Sequence, residues 1–448
     1  MGASYEAYVD GVYRAGGKTG AVSKVWFSIA DGVLTETMYG LIHEAQIKQM
    51  RIAVQTPTGL AVEGADTTAK TEYLHVDAAG RPLSPAYKVT TSDRQGRFVI
   101  EKRIFTDPDR DSLFVRVTVK ALKGPVTPTL VLEPHMANTG GGDTGAASKA
   151  ALTAYEGKAH LSLKGSKPFA EASASVLDNG DALAGLKAAT TSAKGAIVLT
   201  AQLPTVAKEA TFDFAIGFGP DAKSADASAA ATLKTGYAEV LARFNGEGAR
   251  VGWEDYLASL TELPRLREAS EDGGKLLHAS ALMLKVQEDR THAGALIASL
   301  SNPWGDTVDA TQSSTGYKAV WPRDFYQCAM ALAALGDKQT PLAAFHYLPT
   351  VQVGPKTPGN TGVGGWFLQK SHVDGTPEWV GVQLDQTAMP IMLGWKLWKL
   401  GWLPDAELKA FYGKMLKPAA DFLVKGGKVN LDWNTATITP PFTQQERW

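Results

Sequence analysis

A short segment that ends in Arg323 and Asp324 carries the residue types best suited to hold a ligand rich in hydroxyl groups. A guanidinium offers a fork of donors and a carboxylate only acceptors, so this adjacent pair can bond several hydroxyls at once. Tyr317 and Trp321 precede the pair and add aromatic faces. The alternative is a structural ion pair, in which the start of a helix favours Asp324. The segment is therefore the first candidate binding site.

A second candidate joins Trp379 to Gln383 and Asp385, which fall in the first turn of a predicted helix. The tryptophan could close over a ligand while the polar pair holds it in register, or it could be a core residue before an ordinary helix start. Glu446 is a third candidate, as an acid, although one carboxylate beside Arg447 is more often solvated or paired than catalytic.

Other chemistries find little support in the sequence. The eight histidines and the single Cys328 do not have the spacing of a zinc site. Neither a nucleotide-binding glycine loop nor the Gly-x-Ser-x-Gly motif of serine hydrolases is present. We therefore predict no metal site and no cofactor, and a calcium ion stays open without any supporting ligand spacing.

The charges of the chain nearly cancel, with 45 basic and 46 acidic residues and no long block of one sign. Nucleic acid and anionic membranes are therefore not expected as partners, and a neutral ligand such as a sugar fits better. The chain also lacks a run of about 18 apolar residues, which predicts no membrane-spanning helix.

Two kinds of element must position these candidate residues. Up to about Pro220, apolar residues recur at every second position, for example in residues 113–120 and 211–218. This period predicts half-buried antiparallel strands that form a β sandwich. From Lys223 onward the composition changes to helix formers, which predicts a helical linker over residues 223–272.

Residues 273–448 are predicted to form a helical domain. Long loops at residues 299–319 and 350–379 are expected to carry function, because loops of that length are uncommon in a compact domain. The helices predicted in this domain cover residues 275–286, 322–335 and 382–400. The residues predicted to line one face of the third helix are Thr387, Ile391, Trp395 and Trp398.

Three segments of the chain resemble those of a known family. Residues 25–36 (VWFSIADGVLTE), 321–324 (WPRD) and 445–448 (QERW) are similar to segments of bacterial glucoamylases and glucodextranases, the inverting exo-α-glucosidases. The resemblance runs over essentially the whole chain and implies a multidomain β + α architecture. It implies an N-terminal antiparallel β-supersandwich in residues 1–222, the helical linker, and an incomplete (α/α)6 barrel in residues 273–448.

The resemblance also implies roles for the candidate binding residues. Arg323 and Asp324 resemble the pair that grips the terminal glucose through its distal hydroxyls. Tyr317 and Trp321 resemble aromatic residues that line the same subsite. Trp379 resembles the tryptophan that packs over the site near the catalytic acid.

The catalytic carboxylates themselves are not expected within this chain. Glu446 resembles the acidic neighbour that helps to set the environment of the general acid, rather than the acid itself. The resemblance places the general acid just after Trp448 and the general base much later, and an inverting hydrolase needs both. The expected partners are an α-glucan or oligosaccharide and the remainder of the barrel, as missing sequence or as a second polypeptide.

The function that the resemblance implies is exo-acting hydrolysis of α-glucans, with release of glucose from non-reducing ends and inversion of configuration. An extracellular or periplasmic location goes with it. A disaccharide phosphorylase of similar architecture and a non-catalytic carbohydrate-binding protein stay open as alternatives. The choice among α-1,4, α-1,6 and trehalose linkages stays open as well.

Overall fold

An antiparallel β sandwich is followed by a helical region, which is the order that the sequence predicted. The computed structural model describes residues 1–9, 12–15, 18–19, 22–177, 190–248, 250–300 and 316–443, with the backbone alone at 9, 12–15 and 18–19. The strands of the sandwich part are β1 (Gly2–Ala3), β2 (Tyr8–Val9), β3 (Val12–Ala15), β4 (Lys18–Thr19), β5 (Val25–Ala30), β6 (Val33–Tyr39), β7 (Ala45–Thr56), β8 (Gly59–Val62), β9 (Thr67–Tyr73), β10 (Tyr87–Asp93), β11 (Phe98–Asp107), β12 (Ser112–Ala121), β13 (Thr127–Pro134), β14 (Asp143–Ala147), β15 (Leu152–Glu156), β16 (Ala159–Gly165), β17 (Glu171–Val176), β18 (Ser192–Gly195), β19 (Ile197–Gln202) and β20 (Glu209–Gly219).

Two large sheets form the sandwich. One has the strand order β1-β5-β6-β7-β13-β19-β17, with β8 paired to β7, and the other has the order β18-β14-β15-β16-β20-β12-β11-β10-β9. The strands β2, β3 and β4 form a separate small sheet. All of the pairings between these strands are antiparallel, so each strand can present one face to the core and one to its surroundings.

The period-two segments form the centre of the second sheet. In β12, Leu113, Val115 and Val117 are buried on the inner face, and Ile216 and Phe214 of β20 are buried beside them. Val115 pairs directly with Phe214 across the two strands. The alternation of apolar and polar residues was therefore read correctly as a half-buried strand pattern.

The helices begin directly after β20. They are α1 (Ala222–Thr235), α2 (Tyr237–Asn245), α3 (Trp253–Ser259), α4 (Leu263–Glu268), α5 (Lys275–Val286), α6 (Pro322–Ala334), α7 (Gln339–Tyr347), α8 (Leu384–Lys399), α9 (Asp405–Phe411) and α10 (Lys417–Lys425). Short elements between and after them are a π turn (Tyr412–Leu416), a 3₁₀ turn (Leu348–Thr350), and the strands β21 (Lys370–Ser371), β22 (Pro377–Trp379), β23 (Gly427–Lys428) and β24 (Thr437–Ile438). A further 3₁₀ turn, Met136–Asn138, follows β13 in the sandwich.

The four residues predicted to line one face of the third helix differ in their burial. Thr387 is buried in α8, but Trp395 is 50% exposed. Gly394 faces α7 instead, where a Cβ atom at this position would lie 2.7 Å from the ring of Phe345. Because only a glycine fits at that close approach, the bulky neighbour Trp395 is turned outward. The residues of α8 that are buried are Leu384, Gln386, Thr387, Pro390, Leu393, Gly394 and Leu397.

The sandwich and the helical region share one hydrophobic core. Trp26, Met38 and Ile42 from the sandwich pack in the same buried cluster as Leu282 and Phe325 from the helices. The Trp253 indole N–H also donates to the Ala3 carbonyl oxygen at 2.9 Å. The elements that hold the candidate site are thus fixed against the sandwich. Within the described ranges, no helix is both long and apolar enough to cross a membrane.

Candidate functional site

The first candidate segment leads into the start of α6. Trp321 is the extended residue that precedes the helix, and Pro322 is its first residue, a position where the fixed φ of proline and its missing N–H are tolerated. Arg323 and Asp324 therefore lie in the first turn of α6, side by side at its N-terminal end. The sequence placed this pair correctly at a helix start.

Arg323 is held by the start of a second helix. Its Nε donates to Asp385 Oδ2 at 2.9 Å, and its Nη2 donates to Gln383 Oε1 at 2.6 Å. Gln383 precedes α8 and Asp385 lies in its first turn, so the N-terminal ends of α6 and α8 face each other. Gln386 Nε2 donates to Gln383 Oε1 at 2.8 Å, which fixes that amide in turn. The two sequence candidates thus form one cluster.

Asp324 differs from its neighbour because its carboxylate has no such clamp. Within the described ranges, the N–H group of its own backbone lowers the pKa of its carboxyl group. Burial raises the pKa of Asp324 above its ordinary value, and the nearby Arg323 opposes this shift. The ion pair expected under the structural alternative is formed by Arg323 and Asp385 instead. The Asp324 carboxylate can therefore accept hydrogen bonds from a ligand.

Asp385 is partly withdrawn from water. Burial raises its pKa, while the Arg323 guanidinium lowers it. Its Oδ1 atom is buried and has no hydrogen-bond partner in the described part of the chain. A carboxylate with one oxygen on a guanidinium and the other unsatisfied can still accept a hydrogen bond from a hydroxyl group.

Aromatic rings flank this polar cluster. Tyr317 and Trp321 stack with their ring centroids 5.7 Å apart, and Tyr317 is 46% exposed. The ammonium group of Lys370 lies 5.2 Å from the centroid of the Trp321 ring and pairs with Glu378 at 2.6 Å. Lys370 and Glu378 belong to the hairpin of β21 and β22, so this hairpin forms one wall of the site.

Trp379 ends β22 and is 51% exposed, so the interpretation of this residue as a core tryptophan is wrong. Its ring meets that of Trp433 at a centroid distance of 5.2 Å and an angle of 61°. Sequence reasoning missed Trp433. The only signal for it is an aromatic residue inside the polar stretch of residues 430–437, which has no periodicity.

A buried lysine behind the aromatic segment was also missed. The Lys318 side chain is fully buried, and its Nζ donates to Asn138 Oδ1 in the sandwich at 3.1 Å. Burial lowers the pKa of Lys318 to about 7, against the opposing effects of Glu36 and Glu378. Ser28 Oγ of the sandwich also donates to the Leu300 carbonyl oxygen at 2.9 Å. The sandwich therefore supports the segment that carries Tyr317 and Trp321.

Glu446 lies outside the described residues. In the ranges that the structure covers, no group of three or more His, Cys, Asp or Glu residues is arranged to hold a metal ion. The described cluster combines a clamped guanidinium, an accepting carboxylate and exposed aromatic rings. Such a combination fits a neutral ligand that has both hydroxyl groups and apolar faces.

Comparison with known proteins gives two family matches that together cover most of the chain. The family described as glucodextranase, domain N, matches residues 1–258, and glycosyl hydrolases family 15 matches residues 271–448. A glucoamylase of Clostridium sp. (strain G0005) is 30% identical over 441 residues, which are 95% of this chain and 56% of that protein. The chain thus spans just over half the length of this curated relative.

The fold is also similar to that of a solved structure. The crystal structure of a bacterial glucoamylase complexed with acarbose superposes with a TM-score of 0.74 at 29% sequence identity. The match covers 90% of this chain and 56% of that chain. The predicted order of a β-sandwich domain and helices of an (α/α)6 barrel is confirmed by this similarity.

Proposed function

The chain belongs to the family that joins a glucodextranase N domain to glycosyl hydrolases family 15, and we propose that the complete protein hydrolyses α-glucans. It acts from the non-reducing end and releases glucose with inversion of configuration. The binding part of this function is assigned to the cluster at the starts of α6 and α8. The linkage that is cut stays open.

The observation that carries the proposal is the arrangement of Arg323 and Asp324. Arg323 is fixed by Asp385 and Gln383 before any ligand arrives, so little side-chain entropy is lost on binding. Asp324 beside it offers a carboxylate to hydroxyl groups. A terminal sugar ring, with several hydroxyls at one end, matches this donor and acceptor pair.

Aromatic side chains supply the second requirement of sugar binding. The stacked pair of Tyr317 and Trp321 leaves the tyrosine ring almost half exposed. Sugar rings have apolar C–H faces that pack on such rings, while their hydroxyls stay directed at polar groups. The related glucoamylase structure contains acarbose, and we extend that ligand to this chain as a binding probe.

Hydrolysis with inversion also needs a general acid and a general base on opposite sides of the sugar ring. We assign neither role to a described residue. Glu446 is proposed as the acidic neighbour of the general acid. Three further statements stay predictions. They are an extracellular or periplasmic location, the absence of a required cofactor, and the remaining part of the barrel as a partner.

Glucose release by the complete protein tests this proposal. Maltose, isomaltose, trehalose and dextran are incubated with the protein, and the first product is followed by proton NMR. An inverting exo-hydrolase should release β-glucose from at least one of these α-linked substrates. If the glucose cut from the non-reducing end is first seen as the α-anomer, the proposal is contradicted. Release of a sugar phosphate that depends on added phosphate would likewise contradict it and favour a different enzyme class.

A further inference from the structure

His43 is a buried residue of the sandwich at its boundary with the helical region. It lies in the loop between β6 and β7. The Ile42 N–H, just before it, donates to Asp289 Oδ1 at 2.9 Å. The Glu44 N–H, just after it, donates to the Leu41 carbonyl oxygen at 3.0 Å. The loop is therefore fixed on both sides of His43, which gives its ring a defined position.

The His43 ring packs on the hairpin of β21 and β22. Its centroid lies 4.5 Å from that of the His372 ring, at an angle of 40° between the two planes. His372 follows β21, so the sandwich contacts the hairpin near its turn. The Nδ1 atom of His43 is buried and has no hydrogen-bond partner within the described ranges. At this atom the contact is one of packing.

The hairpin connects His43 to the first candidate site. His372 Nε2 lies 3.5 Å from Glu378 Oε2, and the other oxygen of Glu378 pairs with Lys370 Nζ at 2.6 Å. The Lys370 ammonium lies 5.2 Å from the centroid of the Trp321 ring. Contacts therefore run without a break from His43 to Trp321. A shift of the hairpin at His372 would move the ammonium that lies over this tryptophan.

Other contacts hold the hairpin at points away from His43. The backbone groups of Ser371 and Val320 bond each other in both directions, at 2.9 and 3.1 Å. The Tyr347 hydroxyl donates to the Val373 carbonyl oxygen at 2.8 Å. Because these contacts remain when the His43 ring is removed, we expect such a change to tilt the hairpin without unfolding it.

The charge of the His43 ring matters because the ring is buried. The charged and titratable groups near it come from its own loop, from the hairpin, and from the segments after α5 and before α6. They are Glu44, His372, Asp374, Asp289 with its partner His292, and Lys318. Burial lowers the pKa of His43 to about 4, helped by His372 and Lys318 and opposed by Asp289 and Asp374. The ring is therefore neutral at neutral pH.

A displaced hairpin would expose the His43 ring to water and return its pKa toward the ordinary value of 6.5. Below that pH, protons therefore favour the displaced hairpin over the packed one. The preference can grow by up to about tenfold per pH unit until the packed form is protonated as well. Sugar binding that needs the packed hairpin should weaken over the same range.

We propose that His43 is a positioning residue for the sugar site, which holds the β21–β22 hairpin against the sandwich as long as its ring is neutral. This inference rests on the proposed function, since it takes the site beside Trp321 to bind an α-glucan. The sandwich thus contributes to binding without touching the sugar. His43 acts on affinity and not on the cleavage of the bond.

The test uses two variants of His43 in the complete protein. His43→Ala removes the ring, whereas His43→Phe keeps a ring that cannot take up a proton and loses no hydrogen bond at Nδ1. His160→Ala is the matched control, because the His160 ring stacks on Tyr155 in the sandwich at a centroid distance of 5.1 Å. KM and kcat for glucose release are measured between pH 4.5 and pH 7, and melting temperatures show whether each variant is folded.

The proposal predicts an effect on KM alone. At pH 7, His43→Ala should raise KM roughly three- to tenfold, the size expected for loss of a ring contact, and leave kcat unchanged. His43→Phe should have the KM of the wild type at this pH. As the pH falls, KM should rise more steeply in the wild type than in His43→Phe. Asp324 titrates in both proteins, so the difference isolates His43. His160→Ala should behave as the wild type throughout.

Three results would overturn the proposal while the proposed function stands. They are a KM of His43→Ala equal to that of the wild type at pH 7, a loss in kcat in place of KM, and parallel pH profiles of KM in His43→Phe and the wild type. If His43→Ala does not fold, the pH profile of His43→Phe decides. A wild type that releases glucose from none of the four α-linked substrates would overturn the proposed function together with this inference.

Discussion

Arg323 and Asp324 are neighbours in the chain but have different environments. The guanidinium is fixed by Gln383, which precedes α8, and by Asp385 in its first turn, whereas the carboxylate is half-buried and is not held by such partners. A fixed donor group selects for the position of hydroxyls, whereas an accepting carboxylate strengthens their binding. We therefore propose that Arg323 selects the position of the hydroxyl groups and that Asp324 accepts charge-assisted hydrogen bonds from them.

The proposed binding of sugar hydroxyls by Arg323 depends on its planar guanidinium, which holds several N–H donors in fixed directions. Arg323→Lys keeps the charge but cannot bond Asp385, Gln383 and a sugar at once, so we expect acarbose to bind about tenfold more weakly or worse. Calorimetric titration measures the effect. Arg265→Lys is the control, because Arg265 forms an exposed ion pair with Glu262. Equal affinity of Arg323→Lys and the wild type would exclude the proposed fork.

If Asp324 binds sugar as proposed, its raised pKa predicts that the binding depends on pH. Burial raises this pKa, so the carboxylate takes up a proton at a higher pH than an ordinary aspartate with a pKa of about 3.9. Sugar affinity should therefore weaken as the pH falls through the raised pKa. Asp324→Asn should bind more weakly at neutral pH and show a smaller pH dependence. An identical pH profile in both proteins would count against Asp324 as a contact.

Residues of the candidate site that are neighbours in the chain could be found from the sequence. Contacts between residues far apart in the chain could not. Arg323 and Asp324 follow one another, so their joint chemistry is visible in the chain itself. The contact between Arg323 and Asp385 spans 62 positions, and Gln383 and Asp385 were read as separate contacts of a ligand. Trp433 had no pattern to mark it, because its position depends on the folded turn.

The segment before α6 depends on the sandwich for its position. Lys318 reaches Asn138 in the 3₁₀ turn Met136–Asn138, and Asn138 holds a left-handed φ of 58° to offer its side-chain oxygen. Val320 pairs with Ser371 at the start of the hairpin. Tyr317 and Trp321 are thus fixed between a turn of the sandwich and the wall of the site.

Because Lys318 is buried, the free energy of unfolding should depend on pH. Burial lowers its pKa to about 7 in the folded chain, against about 10.4 when unfolded. Between these values the unfolded state binds more protons, so this contribution to the free energy of unfolding increases as the pH rises. Compared with Lys318→Met, the wild type should gain up to about 1.4 kcal/mol per pH unit above pH 7.

Urea unfolding of both proteins between pH 7 and pH 9 measures this gain. The difference between the two proteins isolates Lys318 from other groups that titrate in the same range. A difference that stays constant with pH would show that Lys318 is neither as buried nor as perturbed as the structure indicates. Sugar affinity measured in Lys318→Met would show in addition whether the segment that carries Tyr317 and Trp321 keeps its position.

The elements differ in how well the sequence predicted them. The strands β12 and β20 could be read because alternation alone sets the buried face of a strand. The repeat found in the sequence of α8 does not coincide with its buried face, since Trp395 and Trp398 are exposed. The close contact of Gly394 with Phe345 decides the phase, and it depends on a neighbouring helix that periodicity does not show.

The whole chain is held together by a polar junction in addition to the shared core. Asp289 is buried after α5, and its Oδ1 accepts from the Ile42 backbone N–H in the sandwich at 2.9 Å. Arg290 donates to the Ser4 carbonyl oxygen at 3.1 Å. Lys285 and Glu288 form a buried ion pair at 2.6 Å beside them. These contacts join residues that lie far apart in the chain, so they could not be predicted from the sequence.

A joined core predicts that the sandwich and the helices unfold in a single transition. Asp289→Ala should lower the free energy of unfolding by roughly 3 kcal/mol, because it leaves the buried Ile42 N–H and the partly buried N–H groups of Thr291 and His292 without their acceptor. Differential scanning calorimetry measures the number of unfolding transitions and the loss of stability in Asp289→Ala. Glu271→Ala, a change at an exposed position, is the control. Two separate transitions in the wild type would contradict a common core.

A crystal structure of the chain with acarbose tests the central claim most directly. We predict that the terminal ring lies at the start of α6, with its hydroxyls bonded to Arg323 and Asp324. A ring bound elsewhere, or one that touches neither Arg323 nor Asp324, would contradict the assignment of this cluster as the sugar-binding site.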